Sequence, residues 1–383
     1  MLPRMSRSLS EVIALLERLA PLELSEDWDN TGLLLEPLGA ASRSIERAFL
    51  CIDLSEPVLD EALERGADLL IPYHPPIFRG LKRFRARSPE ERVLLRALEA
   101  GLAVYSPHTA LDAAAGGMND WLARAFGPGR VTPLVAAAPN PKQQELKLVV
   151  FVPAGHVAEL RSALSRELGA GNIGNYSECS YELEGRGSFF GNEATQPRVG
   201  ERGKLEFVPE TRLEMRCPAA ALKDLPRVIA AHHPYEEPAW DVYPLLTAPR
   251  SNLGAGRLIK LDMPMSLTEA VARLKAHLAI ANVRVATASA HSAGNPIECV
   301  AVCAGAGGSL FERVSHAQLF VTGEMRHHDV LAKLRAGSSV ILSEHTHTER
   351  GFLPEFGRQL ESLAEGQLRV LISERDRDPL QTL

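Results

Sequence analysis

Short apolar runs ending in polar residues recur in the first and last thirds of the chain. They alternate with segments of helical spacing, a pattern that predicts strands and crossover helices of an α/β sheet. The predicted strands are Ala48–Asp53, Asp68–His74, Leu102–His108, Glu298–Gly305, Gln318–Glu324, Ser338–His345 and Leu368–Ser373. Glu56–Arg65, Pro89–Ala100 and His328–Arg335 read as the helices between them. Near the start, Glu11, Glu17 and Arg18 interrupt an apolar stretch at helical intervals, which predicts an amphipathic first helix and no signal peptide.

The middle of the chain breaks this rhythm. A Pro- and Ala-rich loop, Pro128–Pro141, leads into an alternating strand at Leu146–Pro153 and a helical pattern at His156–Leu168. Gly-rich connections from Gly169 to Gly203 follow, then strands near Leu205–Val208 and Arg212–Cys217 and a helix at Pro218–Ala231. That order predicts a compact ferredoxin-like α+β unit, with Ala248–Gly256 as the return linker. The expected organisation is an α/β domain formed by residues 1–128 and 250–383, interrupted by an inserted domain at 129–249.

Composition narrows the class. At roughly 100 to 200 residues per domain, 383 residues suggest two or three domains. With 45% hydrophobic and 23% charged residues the chain is globular, not disordered or collagen-like. No apolar run approaches the roughly 18 to 20 residues of a membrane span, so no membrane partner is expected. A net charge of -6 provides no field to hold a polyanion by counterion release, so nonspecific nucleic-acid binding is not expected. Five cysteines without a CxxC pair fit a reducing, cytoplasmic setting; Cys51, Cys299 and Cys303 lie in apolar strand patterns and read as core.

In open α/β sheets, ligands gather beyond the carboxyl ends of the strands. His74 stands at such an end in IPYHPPIF, where two prolines stop the strand. His108 and Asp112 follow another strand at a spacing that lets both face one pocket if the loop turns helically. His345 and Glu349 repeat that spacing in SEHTHTERG, although Thr346 and Glu349 also fit a helix capping box. Taken singly, each histidine is explained as well by hydrogen bonds to backbone groups. Together they form a mixed nitrogen and oxygen set suited to zinc, manganese or iron.

Five segments carry a resemblance: EDWDNTGLLLEP from Glu26, IPYHPPIF from Ile71, YSPHTALDAAAGGMND from Tyr105, FVTGEMRHHD from Phe320 and SEHTHTERG from Ser343. They resemble the Nif-three-like dinuclear metal-binding family, whose members are often described as homologues of a type-two GTP cyclohydrolase I. KLVVFVP from Lys147, GAGNIGNYSECS from Gly169 and HPYEEPAWDVYPL from His233 are similar to the extra domain of its longer bacterial members. The resemblance implies two divalent ions held by His74, Asp112, His345 and Glu349, with Glu349 bridging, and His108 in the same pocket. It also implies a homohexamer and a nucleotide-like or heterocyclic ligand. One departure is Tyr73, where many short members have a second histidine; a phenol with pKa near 10 is a poor ligand at neutral pH. The second ion position is therefore expected to be weakened, water-filled or completed by His108.

Other features carry less. Glu324 with His327 and His328 could support the cluster from behind, and Gly305, Gly307, Gly308 and Ser309 could present donors to an anion. His232, His233, Glu236 and Glu237 are crowded enough for a second metal site, but Pro234 and Pro238 favour a rigid turn. Asp27, Asp29 and Asn30 read as turn formers, with Trp28 a buried anchor. The expected chemistry is metal-assisted hydrolysis with His108 carrying protons; the alternative is a noncatalytic metal-dependent binding, carrier or regulatory protein.

Overall fold

A computed structural model describes residues 6–40, 43–137, 145–246, 252–314 and 316–380. The chain divides into two compact units, Met1–Ala137 with Arg250–Leu383, and Ala138–Pro249.

In the larger unit the apolar runs form strands where the pattern predicts them, but in two sheets and not one. The five-stranded sheet runs Arg369–Ile372, Arg47–Cys51, Leu69–Pro72, Ala103–Ser106, Gly32–Leu35, with only the last pair antiparallel. The six-stranded sheet runs Arg284–Ala286, Ser339–Leu342, Leu319–Thr322, Ile297–Cys303, Arg257–Met265, Gly129–Thr132; its three central strands are mutually parallel. Every residue of Leu69–Pro72, Ala103–Ser106, Leu319–Thr322 and Ser339–Leu342 is buried, as in parallel strands covered on both faces. Because Arg369–Ile372 pairs with Arg47–Cys51, the two ends of the chain build one sheet.

Local chemistry starts the helices. Ser8 with Glu11, and Ser88 with Glu91, form reciprocal capping boxes at Leu9–Leu19 and Pro89–Glu99. The first helix turns Leu9, Val12, Leu15 and Leu16 into the core that also takes Leu353, Phe356 and Leu360 of the helix Leu353–Leu363. At about 1.5–3 kcal/mol per fully buried side chain, these faces outweigh helix propensity.

Gly129–Thr132 pairs with Arg257–Met265 and Val135–Ala136 with Gly254–Ala255, so the larger unit continues past the expected boundary at 128. Of the expected linker, residues 248–251 lie outside the described residues, as do 138–141 of the preceding loop.

The smaller unit is one antiparallel sheet in the order Ser180–Phe190, Leu205–Pro218, Glu145–Val152, Trp240–Pro244. Helices Val157–Leu168 and Leu225–His232 pack Leu160, Leu164, Leu225 and Val228 on Leu148, Val150, Leu213 and Met215. Two expectations are corrected here. Ser180–Phe190 is a strand inside the supposed Gly-rich connections, hidden because its residues are mostly exposed on both faces. The two short strands after Gly203 are one, which runs through Pro209 opposite Arg186.

Candidate metal centre

The strand ends of both sheets in the larger unit meet at a cleft of about 720 Å3. His74 follows Leu69–Pro72, and Asp53 follows the adjacent Arg47–Cys51. Gly305 follows Ile297–Cys303, Glu324 follows Leu319–Thr322 and His345 follows Ser339–Leu342. His345 is preceded by Glu344 at φ 66°, a left-handed turn that ends the strand abruptly.

Three side chains converge. His74 Nε2 lies 3.5 Å from Glu349 Oε2, and His345 Nε2 lies 3.3 Å from Glu349 Oε1. Their donor atoms all fall within 4.8 Å of one another. The Glu349 side chain is 2% exposed, and its Oε2 has no hydrogen-bond donor. A buried carboxylate oxygen without a partner carries a desolvation penalty that a cation would relieve.

The outer nitrogens are held from behind. His74 Nδ1 is 2.9 Å from Asp53 Oδ1, and His345 Nδ1 is 3.4 Å from Glu324 Oε1. Carboxylates placed there favour a proton on Nδ1 and turn both Nε2 atoms toward Glu349, as in carboxylate–histidine–metal arrangements. Gly305, at φ 65°, closes the cradle: a Cβ there would come within 2.8 Å of Glu349 Oε1 and 3.0 Å of His345 Nε2. The orphaned oxygen, the oriented imidazoles and the missing Cβ all fit a divalent cation.

Charge pairing and burial oppose each other across these side chains. Burial disfavours a charged His74, yet Asp53 and Glu349 overcome it and push its pKa up to about 10. The Glu349 contact raises that of His345, against burial. Burial also opposes the Glu349 charge, but the two imidazoles hold its carboxyl below the usual range.

The other expected ligand is placed differently. Asp112 lines the cleft outside the three-residue cluster, and the Tyr73 hydroxyl donates to its Oδ1 at 2.6 Å. Burial pushes the Asp112 pKa up to about 7. His108, at φ 26°, lies with its ring 5.4 Å from that of His74, and its Nδ1 is 2.8 Å from both oxygens of Asp29. Asp29 also accepts from Thr109 N at 3.2 Å and Thr109 Oγ1 at 2.5 Å. These contacts and the bond from Asn30 overcome burial and keep the Asp29 carboxyl below its ordinary range.

Several weaker expectations resolve. Thr346 makes no cap; its hydroxyl donates to Asp378, and the helix His347–Arg350 has only four residues, so Glu349 is turned inward. His327 and His328 are exposed and neither lines the cleft, whereas Glu324 does reach His345. Gly305 N and Gly307 N already donate to Thr348 and Thr322, so they are not available to an anion. Of the crowded group in the smaller unit, His233 is saturated by Phe151 O and Tyr235 N, while His232 lies against Glu167. Trp28 is 60% exposed, not buried, and stands with Phe78 on the cleft wall. Asp29 and Asp53 were missed as functional residues. The only sequence signal for Asp53 was its place at the end of a predicted strand, and Asp29 read as a turn former.

The model of the family Duf34/NIF3 (NGG1p interacting factor 3) matches residues 7–379. The chain belongs to the DUF34/NIF3 family. It is 36% identical over 382 residues to NIF3-like protein 1 of Rattus norvegicus, covering 99% of this chain and 94% of that protein. It is 33% identical over 378 residues to the GTP cyclohydrolase 1 type 2 homolog of Bacillus subtilis (strain 168), covering 97% and 98%. A solved Bacillus cereus protein related to NIF3 superposes with a TM-score of 0.69 at 29% identity, covering 98% of each chain. Staphylococcus aureus SA1388 superposes with a TM-score of 0.78 at 24% identity over 99% of each, which establishes the shared fold. This DUF34/NIF3 protein thus places its His–His–Glu cluster, with Glu349 buried and both histidines half-buried, where strand ends of two sheets meet.

Proposed function

We propose that this DUF34/NIF3 protein is a metal-dependent hydrolase acting on a nucleotide-like or heterocyclic substrate. The observation that carries the reading is the orientation of His74 and His345, each with Nδ1 against a carboxylate and Nε2 against buried Glu349, at the floor of an open cleft. Two imidazoles and a carboxylate suit zinc, manganese or iron better than magnesium or calcium. When bound, such an ion supplies Lewis acidity and a water acidified toward neutral pH.

The chain's own groups supply the rest. Asp29 claims His108 Nδ1 and so leaves Nε2 for proton transfer, a base held by an orienting carboxylate. Trp28 and Phe78, with ring centroids 6.1 Å apart, offer faces for a planar heterocycle, and Arg313 and Ser309 line the same cleft as donors for an anionic substituent. These features support a nucleotide-like substrate over a neutral aliphatic one. Exposed Tyr181, Leu183, Leu205 and Phe207 on the smaller unit's hairpin favour self-association, which the expected homohexamer requires, without fixing the number of subunits. For the smaller unit we propose the ferredoxin-like class, on its sheet order and its two helices.

The test is to incubate the metal-loaded protein with GTP and a panel of nucleotides and phosphoesters and to separate the products chromatographically. Turnover that disappears in His345→Ala and Glu349→Gln is expected. Tight ligand retention without product would instead favour the binding-protein alternative.

A further inference from the structure

We infer that the centre takes one divalent cation per chain, not two, because the Tyr73 phenol occupies the flank on which a second ion would have to be bound. The inference rests on the metal-binding reading above and concerns how many ions the cluster admits.

Tyr73 is 2% exposed, so its position is set by packing and not by solvent. Its ring sits between two imidazoles, with centroids 5.1 Å from His74 and 5.3 Å from His108. The hydroxyl is turned onto Asp112 Oδ1 at 2.6 Å, the short distance of a hydrogen bond to a carboxylate. This geometry weakens two donors at once. Asp112 spends an oxygen on the phenol, and the phenol oxygen, carrying its proton, offers a cation far less than an imidazole would. Among the described residues, His74, His345 and Glu349 are the one set of three potential ligands whose donor atoms lie close enough to share an ion. His108, Asp112 and Glu349 do not make a second such set. A second ion would therefore find no imidazole at position 73 and only donors that do not converge.

Three protein donors suffice for one. Two imidazole nitrogens and a carboxylate leave open coordination positions for water and substrate, as in single-ion catalytic zinc sites. Asp112 then positions Tyr73, and the proton-carrying group beside the ion is His108, not a carboxylate bridging two metals.

The experiment strips the full chain with chelator, reloads it with excess zinc, removes unbound metal by gel filtration, and measures zinc per chain by elemental analysis. A parallel sample loaded with Mn2+ is read by electron paramagnetic resonance. The native chain and Tyr73→Phe are expected to retain one ion each and to show the signal of an isolated Mn2+. Tyr73→His, which supplies an imidazole and releases Asp112, is expected to retain two, with a spin-coupled manganese signal. Asp112→Asn is expected to leave the native ratio at one. Two ions in the native chain, falling to one in Asp112→Asn, would overturn the inference while leaving the metal-dependent reading intact; no ion in the native chain would overturn both. A folded Tyr73→His that still takes one ion would also overturn it, since the phenol would then not be what excludes the second. If Tyr73→His does not fold, the native and Asp112→Asn ratios decide.

Discussion

Asp29 is the most informative single residue to change, because its carboxylate is fully buried and receives every donor around it. Oδ1 takes Asn30 N at 2.8 Å and Oδ2 takes Thr109 N and Oγ1, while His108 Nδ1 is 2.8 Å from both. Asp29→Asn keeps the shape but turns one acceptor into an NH2 group. Whichever way the amide is set, that group faces a backbone N–H it cannot accept. Each hydrogen bond to a charged group contributes about 1.5–3 kcal/mol, and an unsatisfied buried donor costs about 1–3. Allowing the Thr109 hydroxyl to rotate and accept, the net loss is about 2–4 kcal/mol.

Urea unfolding at pH 7 measures this directly. Thr109→Val alone, which removes the hydroxyl donor to Asp29 and the acceptor of Glu26 N, should cost about 1–3 kcal/mol. The double variant should show a coupling of about 1 kcal/mol or more between the two sites. The pH dependence has a definite sign. The Asp29 pKa is depressed below its ordinary 3.8, so its contribution is complete above that value and is lost as the pH falls through the lower folded value. The gap between native protein and Asp29→Asn should therefore be flat from neutral pH into mild acid and close only below it. A loss under about 0.5 kcal/mol, or strict additivity with Thr109→Val, would refute the assignment of Asp29 as a shared acceptor. With a substrate in hand, the same variant should lower kcat by about 10²- to 10⁴-fold while zinc content is unchanged.

Gly305→Ala should reduce zinc retention at least about tenfold, because its Cβ would crowd Glu349 Oε1 and His345 Nε2; undiminished retention in a competition with a fluorescent chelator would contradict the cradle. Glu61 accepts from Ser373 Oγ, Glu374 N, Arg375 N and Arg65 Nη1, and these bonds overcome burial and hold its pKa at about 2. Glu61→Gln should cost about 2–3 kcal/mol at pH 7 in urea unfolding. That difference should vanish as the pH falls from 4.5 through 2, and a loss that persists there would mean the charge is not what matters. Trp28→Ala should leave stability within about 0.5 kcal/mol, since the ring is 60% exposed. It should also weaken nucleotide binding about tenfold or more if a base stacks on it, and unchanged affinity by calorimetry would remove that contact.

What the amino-acid pattern revealed, and what it concealed, follows from how local each cause is. Leu69–Pro72, Leu319–Thr322 and Ser339–Leu342 were legible because burial on both faces leaves a continuous apolar run whatever the partner strand is. The partner itself leaves no such mark, so the runs do not say that they divide between two sheets. The polar residue that ends a buried run points at whatever lies beyond the sheet, which is why His74 and His345 could be found. Asp29 and Asp53 could not, since an aspartate at a turn looks the same whether it caps its own backbone or holds an imidazole 79 residues away. Glu349 shows the reverse case. Its T-x-x-E spacing suits a cap, but Thr346 is drawn off to Asp378, and tertiary contact overrides the local motif. Tyr73 combines both situations. The residue was conspicuous as a departure, yet its effect depends on the hydroxyl reaching Asp112, 39 positions along the chain. If the centre takes one ion, as inferred above, its ion count is set by a tertiary hydrogen bond, and two chains sharing every histidine and carboxylate here would differ in it by that one phenol.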